Sequence, residues 1–269
     1  MAADRALSLT LTRTMVAMAI TGASIGTLLS LHARADSQVN EAFVQTQIAR
    51  PLDVQPSAAA QHLLVIAHNA GDAPSTITDA VKHHARIVEI DSVDANGQLR
   101  ARHDPRPRSP KDIVSRSQTV SRAWALARAP GILLDLKTSG LGTADLVNGL
   151  IAAHPMTHIL VSTSDAQTLD RVEPHSASVL RLLSVGTLAE LDSVLERPAA
   201  SSTASIRGVT IADGLLNATT VRELQQHHLW IQSWTVDTMA RANQLAAWGV
   251  NGITTDNLTM IAALAHAAN

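Results

Sequence analysis

From residue 62 onward, short runs of apolar residues alternate with longer segments whose apolar positions recur at helical spacing. The short runs are bounded by turn-forming residues and are typical of buried β-strands. Eight such runs occur, at residues 63–67, 86–91, 132–136, 159–162, 179–183, 208–211, 230–234 and 252–254. Because a parallel neighbour requires a long crossover connection, strands separated by helices favour a parallel sheet.

The segments between and after the strands predict helices, for example at residues 76–83, 118–129, 143–153, 187–195, 219–228, 238–248 and 258–267. Thr187 and Glu190 have the spacing of a capping box, and Asp237 is placed to cap the helix that follows it. Eight strand–helix units in about 205 residues predict a single-domain α/β fold, the (β/α)8 TIM barrel. An open doubly wound sheet is the alternative, since it shares this alternation.

One further apolar–polar alternation, at residues 98–103, directly follows Asn96 and Gly97. The dipeptide Asn-Gly is a strong signal for a tight turn between two strands. The pattern therefore predicts a β-hairpin after the second strand. This hairpin would return the chain and bring His103 to the C-terminal end of the barrel.

The amino-acid composition narrows the range of possible functions. The sequence is 46% hydrophobic, enough for one sizeable core, and its formal net charge of −2 predicts no nucleic-acid partner. There is no tyrosine and only one phenylalanine, which argues against a platform for stacking bases. The absence of cysteine excludes disulfides, thiolate metal sites and cysteine nucleophiles.

The N-terminus has the pattern of an export signal. Arg5 and Arg13 come before an apolar stretch at residues 15–31, and an A-x-A cleavage pattern ends at Ala35. We therefore predict a signal peptide at residues 1–35, a flexible lead-in at 36–61 and a catalytic domain at 62–269. In the alternative, residues 15–31 remain as a membrane anchor, because the stretch is long for a signal peptide. Both readings predict an exported protein, either periplasmic or secreted.

Polar side chains follow the predicted strands at their C-terminal ends, where TIM barrels carry their chemistry. His68 follows the first strand, and Glu89 and Asp91 end the second. Side chains alternate along a strand, so Glu89 and Asp91 face the same way. With His103 delivered by the hairpin, the sequence predicts two imidazoles on either side of paired carboxylates.

Asp135 and Lys137 end the third predicted strand and would join the same cluster. Burying several carboxylates together is costly unless a cation compensates them, and oxygen ligands favour Mg²⁺ or Ca²⁺ over zinc. Lys137 would offset part of the charge or hold a phosphate oxygen. The two histidines can divide the proton transfers, one deprotonating the attacking oxygen and the other protonating the leaving alkoxide. The pattern predicts metal-assisted acid–base chemistry on a phosphate ester.

Six motifs occur in the order found in the glycerophosphodiester phosphodiesterases, TIM-barrel enzymes of the phospholipase-C-like phosphodiesterase superfamily. They are His68-Asn69-Ala70-Gly71, Glu89-Ile90-Asp91, Gly97 followed by His103-Asp104, Asp135-Leu136-Lys137, Trp234-Thr235-Val236-Asp237 and Gly249-Val250-Asn251-Gly252-Ile253-Thr254-Thr255-Asp256. The resemblance spans residues 62–260, nearly the whole predicted domain. It implies lipid metabolism: cleavage of glycerophosphodiesters to glycerol 3-phosphate and an alcohol, through a substrate hydroxyl that attacks first.

The resemblance also implies residue roles. The positions of His68 and His103 correspond to the general acid/base pair, and that of Lys137 to a lysine that contacts phosphate. The family's ligands for the divalent metal correspond to Glu89, Asp91 and Asp135. Asn69 and Trp234 are further candidates for contact with the substrate.

The chain departs from the family pattern in four places. Asn69 replaces the usual arginine, so a phosphate-binding guanidinium is lost and only an uncharged hydrogen-bonding amide remains. The usual Pro-Glu-Asn-Thr reads Pro74-Ser75-Thr76, and the third metal ligand is Asp135 instead of glutamate. The stretch from residue 103 to 135 leaves little room for a cap insertion, which favours an open site that accepts a bulky or lipid-like leaving group.

Two other functions fit the same residues. A related phospholipase-C- or D-like enzyme would use the same barrel and release a cyclic phosphate. A non-catalytic secreted binding protein would explain the missing arginine and glutamate. The predicted partner is in each case a small-molecule or phospholipid-derived phosphodiester, with membrane association only if residues 15–31 remain uncleaved.

Overall fold

The computed structural model describes residues 47–103, 117–155, 157–172, 179–197 and 206–267. The predicted signal peptide or anchor, the first part of the lead-in and Asp104 lie outside these residues. Within the described ranges, no helix combines the length and the apolar character that crossing a membrane requires.

Among the described residues, nine strands form one sheet. They are β1 Leu64–Ala67, β2 Ile87–Asp94, β3 Leu99–Ala101, β4 Gly131–Leu136, β5 His158–Thr163, β6 Val179–Val185, β7 Gly208–Ala212, β8 Trp230–Trp234 and β9 Gly252–Thr255. All except β3 pair in parallel with their neighbours, and β1 pairs with both β2 and β9, so that eight strands close into a barrel. The predicted TIM barrel is confirmed, and the open sheet is excluded. β3 lies outside the ring and pairs antiparallel with β2.

The helices on the outside of the barrel follow the strands in sequence. They are α1 Pro74–Lys82, α2 Val120–Ala127, α3 Leu141–Ala153, α4 Ala166–Arg171, α5 Leu188–Leu195, α6 Ala218–Gln226, α7 Met239–Trp248 and α8 Leu258–Ala267. The capping box of Thr187 and Glu190 is present at the start of α5. The prediction that Asp237 caps α7 was wrong, because Thr238 does so by accepting a hydrogen bond from the Arg241 amide.

The strand registers determine which side chains fill the barrel. One interior cluster consists of Ile66, Ile87, Leu133, Leu160 and Leu182. Residues two apart on a strand face the same side, so the next inward position on each of these five strands is two residues further on. Those positions are all polar: His68, Glu89, Asp135, Ser162 and Ser184. The barrel interior therefore changes from an apolar plug to a polar layer at the C-terminal ends of its strands.

Gly208 marks a close approach between β7 and β8. A Cβ at this position would overlap the carbonyl oxygen of Trp230 and lie 2.9 Å from Cδ2 of Leu182. Because the backbone of β8 cannot yield without disturbing the barrel, we expect Gly208→Ala to lower the free energy of unfolding by about 1–3 kcal/mol. Urea denaturation followed by circular dichroism measures this change.

Gly149, in α3, provides the matched control, because a Cβ there would meet nothing within 4 Å. Alanine is the better helix former, so Gly149→Ala should preserve the free energy of unfolding or raise it by up to about 1 kcal/mol. Equal stability of Gly208→Ala and the wild-type protein would refute the close-approach argument.

Candidate active site

Three carboxylates converge at the C-terminal end of the barrel. Glu89 and Asp91 come from β2 and Asp135 from β4, and the sheet register places Asp91 directly opposite Asp135. One oxygen of each side chain lies within 4.8 Å of the others. Two oxygens that each lie about 2.4 Å from one ion can be at most about 4.8 Å apart. The spacing is therefore that of three ligands to one hard cation.

The electrostatics of this cluster also favour a cation. Asp91 is fully buried and Glu89 is 7% exposed. Burial raises the pKa of Glu89 to about 8, and the negative charges of Asp91 and Asp135 act in the same direction. Among the described residues, no amide or hydroxyl group donates a hydrogen bond to either oxygen of Asp91. A divalent ion would compensate these buried negative charges and lower the pKa of Glu89.

Lys137 provides one positive charge for these acids. Its Nζ lies 3.1 Å from Oδ1 of Asp91 and forms an ion pair with Asp135, whose other oxygen accepts a 2.6 Å hydrogen bond from Ser162. Burial acts to lower the pKa of Lys137, but Asp135 and Asp91 outweigh it, and the pKa is raised. Lys137 is therefore cationic, yet a single ammonium cannot neutralise three carboxylates.

A fourth acid, Asp72, was not among the predicted site residues. Its Oδ1 accepts a 3.1 Å hydrogen bond from the backbone N–H of Asp91. Burial and the neighbouring charge of Asp91 raise the pKa of Asp72 well above its ordinary value, which favours a protonated carboxyl group. Asp72 lies in a short 3₁₀ turn, where the sequence has no strand or helix period. Its position directly after Gly71 was the one sequence signal that linked it to the site.

His68 is held at the end of β1 by Asp256. Its Nδ1 lies 2.9 Å from Oδ1 of Asp256, and its backbone N–H donates to the carbonyl of Thr255 at 3.1 Å. Burial acts to lower the pKa of His68, but Asp256, Glu89 and Asp91 outweigh it and raise the pKa to about 9. In this environment the imidazole carries a proton on both nitrogens near neutral pH.

His103 lies two residues beyond β3 and has the opposite electrostatics. The preceding Arg102 donates a 2.7 Å backbone hydrogen bond to the Asp91 carbonyl, which draws this part of the chain to the end of β2. Burial lowers the pKa of His103, with smaller contributions of both signs from Asp91, Lys137 and other groups of the site. The structure thus brings both predicted histidines into electrostatic range of the carboxylates.

The predicted substrate contacts lie around the same end of the barrel. Asn69 has left-handed backbone geometry (φ 48°), and its N–H donates to Glu89 Oε2 at 3.4 Å. The residue is 6% exposed, and neither polar atom of its side-chain amide has a hydrogen-bond partner among the described residues. Trp234 ends β8 half-buried, with its ring beside Gly186 in the loop after β6.

The chain is similar to known proteins in sequence and in fold. The model of the glycerophosphoryl diester phosphodiesterase family matches residues 153–260. No curated protein matches the chain. Three solved structures illustrate the shared fold. A phosphodiesterase from Oleispira antarctica in complex with its product sn-glycerol-3-phosphate has a TM-score of 0.59 at 18% identity, covering 77% of this chain and 98% of that one.

The other two are glycerophosphodiester phosphodiesterases. The enzyme from Parabacteroides distasonis has a TM-score of 0.57 at 16% identity, with coverage of 76% of this chain and 97% of that one. The enzyme from Agrobacterium tumefaciens has a TM-score of 0.56 at 14% identity, with coverage of 75% and 99%. The family match supports the resemblance at two of the six motifs, residues 234–237 and 249–256, and the structures confirm the barrel.

Proposed function

We propose that this chain is a member of the glycerophosphodiester phosphodiesterase family and hydrolyses glycerophosphodiesters with a bound divalent metal ion. The observation that carries the proposal is the convergence of three carboxylates to within 4.8 Å, beside two histidines, at the C-terminal end of a TIM barrel. We also propose export to the periplasm or the exterior, on the basis of the signal pattern in residues 1–35.

The three carboxylates are the proposed metal ligands. Glu89, Asp91 and Asp135 have the spacing and the oxygen chemistry that suit Mg²⁺ or Ca²⁺. A bound ion would supply positive charge to the phosphoryl oxygens as negative charge develops there. It would also release Glu89 from the proton that burial favours, because a nearby cation lowers the pKa of a carboxyl group.

The proposed division of labour between the histidines follows from their surroundings. His103 has a lowered pKa, so its neutral imidazole can accept the proton of the attacking substrate hydroxyl. His68 has a raised pKa and commits Nδ1 to Asp256, so Nε2 can donate a proton to the leaving alkoxide. A proton is thereby removed from one oxygen and delivered to the other, which yields a cyclic phosphate and the free alcohol. Water would then open the cyclic phosphate to glycerol 3-phosphate, with His68 accepting the proton of the water and His103 returning one to the departing ring oxygen.

Three further residues are proposed to bind the substrate. Lys137 would place its ammonium against a phosphate oxygen once a metal ion shares the charge of Asp91 and Asp135. Asn69, whose buried amide has unused donors, would donate to the phosphate in place of the family's arginine. Trp234 would form an apolar wall beside the organic part of the diester.

The test is hydrolysis of glycerophosphocholine by the purified protein with added Mg²⁺ or Ca²⁺, with the products identified by phosphorus NMR. The proposal predicts glycerol 3-phosphate as the accumulating phosphorus product. Accumulation of a cyclic phosphate would contradict this proposal and support the phospholipase-like alternative. Metal binding without turnover of glycerophosphocholine, lysophospholipids or bis(p-nitrophenyl) phosphate would instead identify a non-catalytic binding protein and refute the proposal.

A further inference from the structure

We propose that Asp256 is the positioning residue of His68, and that the segment of residues 47–50, upstream of the barrel, holds both residues in place. We refer to residues 47–50 as the strap. The inference rests on the proposed function, because it assigns supporting groups to the histidine that donates the proton.

The contact between Asp256 and His68 is direct and shielded. Their side chains are 12% and 13% exposed, and Oδ1 of the carboxylate lies 2.9 Å from Nδ1 of the imidazole. The two residues follow β9 and β1, the adjacent strands that close the barrel. A carboxylate at Nδ1 fixes the ring orientation and requires Nδ1 to carry the hydrogen. The nitrogen that remains for the substrate is therefore Nε2.

Asp256 is itself held by Asp237, in the loop after β8. The backbone N–H of Asp256 donates to Oδ1 of Asp237 at 2.8 Å, and the hydroxyl of Thr255 donates to the same oxygen at 3.1 Å. The side-chain amide of Asn257 donates to the backbone carbonyl of Asp237 at 3.2 Å. Three consecutive residues at the end of β9 are thus fixed to one neighbouring residue, which limits the movement of the Asp256 carboxylate.

The strap contacts the backbone of both members of the pair. Ile48 donates its N–H to the carbonyl of Asp256 at 3.0 Å and accepts from the N–H of Leu258 at 3.2 Å. The side-chain amide of Gln47 donates to the carbonyl of His68 at 2.9 Å. A segment that only covered the surface of the barrel would not need hydrogen bonds to the carbonyls of Asp256 and His68. The contacts therefore point to a positioning role for the strap.

The Asp256→Ala variant tests the first half of the proposal. We expect kcat for glycerophosphocholine to fall about tenfold to a hundredfold with little change in KM, since supporting groups of this kind have effects of that size. Asp256→Asn, which keeps an acceptor for Nδ1–H, should recover part of the loss. Asp79→Asn, at a half-exposed position of α1, is the control and should behave as the wild-type protein. Unchanged kcat in Asp256→Ala would overturn the proposal.

Nitrogen NMR of the His68 ring provides a readout that does not depend on turnover. At a pH where the imidazole is neutral, the wild-type protein should show the hydrogen on Nδ1, and Asp256→Ala should shift it toward Nε2. Mn²⁺ affinity should stay the same in both proteins, because Asp256 is not among the proposed ligands. If the His68 tautomer is the same in Asp256→Ala as in the wild-type protein, the positioning role is refuted. If the wild-type protein carries the hydrogen on Nδ1 but has no activity, only the proposed function is refuted.

The strap is tested by Ile48→Pro, which removes the N–H that donates to Asp256. Ala49→Pro is the matched control, because the neighbouring N–H does not take part in the bridge between Ile48 and Asn257. We expect Ile48→Pro to lower kcat about fivefold or more relative to Ala49→Pro, with the same melting temperature for the barrel. Equal kcat in the two proline variants would overturn the role of the strap.

Discussion

Alanine in place of His68 or His103 is expected to lower kcat for glycerophosphocholine by at least about a hundredfold, the lower end of the contribution of a positioned general acid or base. The two variants should fail at opposite proton transfers. Without His103, the attacking hydroxyl keeps its proton. Without His68, the leaving alkoxide must depart unprotonated. A substrate that keeps the glycerol hydroxyl but has a good leaving group, such as glycerol 3-(p-nitrophenyl) phosphate, should therefore partly rescue His68→Ala but not His103→Ala.

The control for this pair is His62→Ala. His62 is exposed in the short 3₁₀ turn before β1, at the opposite end of the barrel from His68. The His62→Ala variant should retain the wild-type kcat with either substrate. If either active-site variant keeps more than a tenth of the wild-type kcat with glycerophosphocholine, that histidine is not a general acid or base. Steady-state kinetics with both substrates measures all three variants.

Loss of the metal ion should have an effect at least as large. EDTA should reduce turnover to background, and Mg²⁺ or Ca²⁺ should restore it. Asp91→Asn should lower kcat by at least about a hundredfold even with excess metal, because a bound ion contributes several kcal/mol of charge stabilisation in the transition state. The fully buried Asp91 lies opposite Asp135 and next to Glu89, so its replacement removes one of the three grouped carboxylates.

The melting temperature distinguishes loss of the metal ligand in Asp91→Asn from misfolding. Without metal, the carboxylates of this buried cluster repel one another, so removing one negative charge should preserve or raise the melting temperature of Asp91→Asn. The wild-type protein should gain melting temperature when metal is added, and the variant should gain much less. Wild-type turnover in the presence of EDTA would be incompatible with a metal-dependent mechanism.

The barrel and most of the site could be predicted because their signals are local. Each barrel strand is a short apolar run, and Glu89 and Asp91 stand two residues apart at the end of one, so the alternation of side chains places them together. The same reasoning places Asp135 on the next parallel strand. Helix α4 was missed because six residues are too few to establish a helical period.

The remaining contacts depend on how distant segments meet. His68 and Asp256 are 188 residues apart, and they become neighbours only when β9 closes the barrel against β1. Ile48 pairs through a single bridge to Asn257, which leaves no alternating pattern to recognise. Asp72 is a lone acid in a turn, and its contact with Asp91 depends on how that turn packs against β2.

The central claim is that Glu89, Asp91 and Asp135 bind one divalent ion. Crystals soaked in Mn²⁺ and measured at a wavelength with anomalous scattering from manganese test it most directly. We expect a single strong anomalous peak about 2.2 Å from an oxygen of each carboxylate, and we expect the peak to be absent in Asp91→Asn. No peak between the three carboxylates at saturating Mn²⁺, or a peak bound only elsewhere, would contradict the account.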